Sequence, residues 1–84
     1  MDLNTMARLT AELPERFADR VDPATAKHLH TIARGGETGE LLDLLLHVLR
    51  EDHASITTAE RDELAALLTA CEMPTKMLDG IHVG

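Results

Sequence analysis

The chain has a single phenylalanine, Phe17, and no tyrosine or tryptophan. A core must then be built from Leu, Ile, Val, Met and Ala, and the aromatic platforms on which single-stranded nucleic acids stack are missing. Basic residues are scarce as well, with eight Lys and Arg against fifteen Asp and Glu. Phosphate binding needs clustered cations, so the balance argues against nucleic acid and anionic membrane as partners. One cysteine, Cys71, rules out an internal disulfide, which suits a reducing compartment. No run approaches the roughly 20 apolar residues of a membrane span. No basic segment followed by an apolar run marks a signal peptide. A soluble cytoplasmic chain is expected, and at 84 residues it has room for one domain, residues 1–84, with a modest core.

What the chain does have is negative charge concentrated in one place. Residues 1–36 hold five acids and five bases, whereas residues 37–63 hold eight acids against Arg50 and Arg61. The eight are Glu37, Glu40, Asp43, Glu51, Asp52, Glu60, Asp62 and Glu63. A local field of one sign selects partners of the opposite sign and speeds their arrival.

Apolar residues recur at steps of three and four, the period of helices, and do not alternate as in strands. Leu3, Met6, Leu9, Leu13, Phe17 and Val21 mark a first helix, capped by Asn4 or Thr5. Pro14 lies within it and predicts a kink or a break. Asp22-Pro23 starts a second helix with an acidic cap and a proline in the first turn. Leu29, Ile32 and Ala33 give that helix its apolar stripe, and Gly35-Gly36 ends it.

A third helix begins near Glu37 or Thr38 and runs to about Glu51. Its Leu41, Leu42, Leu44, Leu45, Leu46, Val48 and Leu49 cover most of its circumference, which predicts a central position. The one polar stripe is Glu40, Asp43, His47 and Arg50 or Glu51. After the linker Asp52–Ile56, Thr57-Thr58-Ala59-Glu60 reads as a capping box for a fourth helix. Leu64, Leu67, Leu68 and Cys71 form its apolar face, and Met73-Pro74 closes it. The tail is expected to make one short turn around Met77 and Leu78. The fold class is all-α: a compact single-domain bundle of four to five short helices.

Chemistry-bearing constellations are thin. Asp43 and His47 stand four apart on one helical face, as two metal ligands would, but only Glu40 and His53 are near and neither completes a convincing set. His28 and His30 point in different directions. Ser55, the only serine, sits in a short linker, and Cys71 lies on an apolar stripe where a small buried thiol is usual. Gly35-Gly36 and Gly39 lack the lysine and spacing of a phosphate loop. The reading is a non-enzymatic protein with no cofactor and no bound metal. The acidic residues are its contact pool, although acids in a first helical turn, such as Glu60, Asp62 and Glu63, also serve the helix dipole.

Gly36-Glu37-x-Gly39 followed by Leu41-Leu42-Asp43-x-Leu45 resembles a signature of small helical immunity proteins of polymorphic and contact-dependent toxin systems, including the Maf-type immunity family. In that family the Leu-rich helix ends in an acidic stretch, here Leu49-Arg50-Glu51-Asp52. A short Ile and Ser/Thr segment and an acidic helix start follow, here Ile56-Thr57-Thr58-Ala59-Glu60. The similarity runs from about Phe17 to Met73. Thr38 and Arg61 stand where the family has aromatics, and Leu41 replaces a small residue. The resemblance implies a protein that binds and neutralises a cognate toxin, often a basic ribonuclease, inside the producing cell. The same charge pattern would serve a helical antitoxin, adaptor or regulator that binds another basic protein. A metal-dependent enzyme using Asp43, His47 and His53 is the reading from a different class.

Overall fold

Three of the four helices begin where a side chain takes up their free amides. In the computed structural model, which describes residues 1–84, helix α1 spans Leu3–Arg16, α2 Pro23–Arg34, α3 Thr38–Glu51 and α4 Thr58–Ala70. Asp2 caps α1 through Oδ1, which accepts from the Thr5 amide at 2.7 Å. Asp22 caps α2, with Oδ1 accepting from the Thr25 amide at 2.8 Å. These backbone bonds hold both carboxyls below their ordinary range. Thr57 and Glu60 complete the expected capping box of α4: Thr57 Oγ1 accepts from the Glu60 amide at 3.0 Å and Glu60 Oε1 from the Thr57 amide at 2.8 Å. Only α3 starts without a side-chain cap.

The ends of α2, α3 and α4 share one geometry. In each, paired backbone bonds reach back to the last turn, as from Ala54 N to Leu49 O and from His53 N to Arg50 O. The closing residue takes a left-handed conformation: Gly36 at φ 72°, His53 at φ 53° and Glu72 at φ 58°. Glycine adopts this freely, while His53 and Glu72 hold it at about 1 kcal/mol each.

Three expectations for the first helix are corrected. α1 runs unbroken through Pro14, which is buried in its last turn. The ring removes one donor, but only two helical residues follow, and Phe17 N closes the turn onto Leu13 O at 3.0 Å. The cap is Asp2 rather than Asn4 or Thr5. Leu3, expected in the core, is 76% exposed.

The core is one cluster of fifteen buried residues. α3 supplies Leu41, Leu42, Leu45, Leu46 and Leu49, which gives it the expected central place. Leu13 and Phe17, Leu29 and Ile32, and Leu64, Leu67 and Leu68 close on it from α1, α2 and α4. The tail adds a feature that helical periodicity did not signal. After a 3-10 turn at Thr75–Leu78, strand β2 (His82–Val83) pairs in parallel with β1 (Ser55–Ile56), in register Ser55 with His82 and Ile56 with Val83. α4 supplies the crossover such a pair requires. Arg50 Nη1 donates to Met77 O at 3.0 Å and ties the same tail to α3. No helix is long and apolar enough to cross a membrane.

Thr10 is the one buried polar side chain whose oxygen lacks a hydrogen-bond partner. Replacing it with the isosteric valine removes an uncompensated hydroxyl. Thr10→Val should therefore stabilise the chain by about 1 kcal/mol, read as a higher urea midpoint at unchanged m-value.

Candidate partner-binding surface

The eight acidic candidates divide into two groups. Glu60 and Glu63 face inward across the α1–α4 junction. Arg20 presents Nη1 and Nη2 to the two oxygens of Glu60 at 2.6 and 2.7 Å, a forked pair that is only partly exposed. Arg16 Nη1 donates to Glu63 Oε1 at 2.7 Å. The Arg20 guanidinium lies 4.3 Å from the Phe17 ring centroid, so its charge also rests on an aromatic face. The Arg20 hydrogen bonds, with the Thr57 amide assisting, pull the Glu60 carboxyl down to about 2. These two acids hold the fold together and offer a partner little free charge.

Glu37, Glu40, Asp43, Glu51, Asp52 and Asp62 are exposed, and none makes an ion pair or a side-chain hydrogen bond within the chain. Glu40 and Asp43 stand together. With His47, Leu44 and Arg50 of α3 and His28 of α2, they line an open groove of about 360 Å³. Arg50 spends one guanidinium N–H on the Met77 carbonyl, which limits its answer to those carboxylates. Glu51 and Asp52 sit at the last turn and cap of the same helix. That is the negative end of its dipole, where each carboxylate costs roughly 0.3–1 kcal/mol in helix stability. Local helix energetics do not account for acids there. Glu37 lies at the opposite end of α3, and Asp62 is on the first turns of α4.

The eight thus do not converge on one point. α3 and its two flanking cap residues, Glu37 and Asp52, carry five of the six free carboxylates, and α2 adds His28 beside Glu40 and Asp43. His28 could not be placed there from spacing along α2, because the packing of α2 beside α3 is not written in either helix's own period. His53, offered as a metal ligand beside Asp43 and His47, closes the end of α3 and does not line their groove. No group of three His, Cys, Asp or Glu side chains is arranged to hold a metal ion. Cys71 is half-buried and contacts Met6, with Sγ 3.5 Å from Sδ, and burial pushes its thiol up. Such a thiol is a poor nucleophile at neutral pH. Comparison with protein-family models, with curated proteins and with solved structures returns no match for this chain.

Proposed function

We propose that this chain is an immunity protein: it binds a basic toxin, most simply a ribonuclease, and neutralises it in the cytoplasm of the cell that makes both. The observation that carries the reading is the row of exposed, unpaired carboxylates along α3, ending in Glu51 and Asp52 where the helix itself disfavours acids. A ribonuclease holds phosphates in a basic groove. Fixed carboxylates meet that groove with the charge of RNA and without a scissile bond. Charge pairing of this kind accelerates encounter, while apolar contacts such as Leu44 beside Glu40 and Asp43 slow escape. The Gly36-Glu37-x-Gly39 signature and the Leu-rich helix behind it support the same assignment through their resemblance to the Maf-type family. No tyrosine or tryptophan is available as an anchor, so specificity rests on charge placement.

Co-purification with the product of the adjacent upstream gene tests the pairing directly, and that product should be a toxin. The charge mechanism has its own test. Asp43, Glu51 and Asp52 have no internal partners, so the triple change to Lys should leave the fold intact. It should weaken toxin binding by about tenfold or more and flatten the dependence of affinity on salt. Unchanged affinity and salt response in a folded variant would sink the acidic-row mechanism.

A further inference from the structure

The open groove beside the acidic row holds two imidazoles as well as two carboxylates. His28 lines it from α2, and Glu40, Asp43, Leu44, His47 and Arg50 line it from α3. His28, Glu40, Asp43 and His47 are all exposed, and none of the four makes a side-chain hydrogen bond or an ion pair within the chain. Asp43 and His47 stand one helical turn apart on α3, with Glu51 a further turn on, and His28 reaches the same groove from the neighbouring helix. Neither α1 nor the tail contributes a lining residue. The tail that Arg50 holds carries Lys76 and Asp79, one charge of each sign, outside the lining. Lys27 and His30 of α2 lie outside it too.

Histidine is the side chain whose charge changes between about pH 5 and 8. With both imidazoles neutral, the two carboxylates against Arg50 give the groove a formal charge of −1. With both protonated, three cations against two anions make it +1. That inversion turns attraction for a basic partner into repulsion. Protonation also gives the free carboxylates partners of their own, Asp43 and His47 being at the four-residue spacing of a helical ion pair. We propose, on the reading of the α3 row as the partner-binding surface, that His28 and His47 make capture of a basic partner pH-dependent. The groove accepts a cationic side chain while both imidazoles are neutral and rejects it once both are protonated. His30, His53 and His82 do not line the groove, so their protonation acts only at a distance and is screened by salt.

The probe is N-acetyl-hexalysine amide, whose charge is constant between about pH 5.5 and 7.5 because lysine titrates at about 10.4. Its affinity for the full-length chain is read at both pH values, at one low ionic strength, from the NMR shifts of the Glu40, Asp43 and Leu44 amides. Saturable binding is expected at about pH 7.5 and should weaken by about tenfold at about pH 5.5. In His28→Gln/His47→Gln the neutral-pH affinity should stay within about twofold, and the fall on acidification should shrink to about threefold or less. In His30→Gln/His53→Gln/His82→Gln the larger fall should remain. The switch is overturned by equal affinity at the two pH values, by an undiminished fall in His28→Gln/His47→Gln, by loss of the fall in the triple variant, or by the absence of saturable binding at neutral pH. Its failure is distinguishable from failure of the toxin reading. A chain that captures its toxin but holds the probe equally at both pH values loses the switch alone. A chain whose probe binding follows His28 and His47 but that captures no toxin keeps the switch and loses the toxin.

Discussion

Phe17→Ala should lower the free energy of unfolding by about 4 kcal/mol, the upper part of the range for large-to-small changes in a rigid core. Phe17 is fully buried at the end of α1 and is the only aromatic ring in the chain. It packs in the cluster built around α3. Its outer face carries the Arg20 guanidinium at 4.3 Å, with that of Arg16 at 6.0 Å. Truncation therefore removes transfer energy, opens a cavity and strips Arg20 of its support. A chain of 84 residues has roughly 4–13 kcal/mol of stability to lose, so this one change removes from about a third to nearly all of it. Urea unfolding followed by circular dichroism measures the loss. Phe17→Leu, which keeps most of the volume, should cost about 1–2 kcal/mol. A loss below 2 kcal/mol for the alanine variant would mean that the ring is not packed as described.

Where local chemistry decides the structure, the residues announced it. Asp22-Pro23, the Thr57–Glu60 box and the glycine at position 36 set helix ends through atoms within four residues of one another. The seven apolar side chains of α3 called for a central place, and five of them are fully buried there. What stayed hidden depends on distant pairs. Arg16 meets Glu63 across 47 positions and Arg20 meets Glu60 across 40. A count of charges along the chain assigned both glutamates to a partner when they already had one. The parallel pairing of β1 with β2 is equally distant in sequence. Two-residue strands have no period to detect, so helical spacing passed over them. Pro14 misled for a different reason: it removes a single donor, the one that would reach the Thr10 carbonyl, and the turn after it still closes through Phe17 N and Leu13 O at 3.0 Å.

The Arg20–Glu60 pair gives the second large effect, and it separates structural from functional acids. Arg20→Met keeps the stem over Phe17 and removes the guanidinium. Glu60 is then left with its oxygens largely shielded and only the Thr57 amide to serve them. The expected loss at neutral pH is about 3 kcal/mol, the cost of breaking a partly buried pair from one side. The acid dependence should change with it. Glu60 in the folded chain titrates at about 2, below its ordinary 4.5, so its stabilisation is fully present above pH 4.5 and is lost as pH falls toward 2. That window holds at most about 3 kcal/mol. In Arg20→Met the larger part of the slope between pH 4.5 and 2 should vanish, whereas Glu60→Gln, which can still cap α4, should remove the slope at a smaller cost near neutrality. An unaltered acid slope in Arg20→Met would show that the arginine does not set the Glu60 carboxyl. The same substitution removes one positive charge and takes the formal charge from −7 to −8. Association with a basic partner should then become faster at low salt, by about twofold, in a protein that is less stable. Stability and on-rate moving in opposite directions is the signature expected if the free acids serve the partner and the paired ones serve the fold.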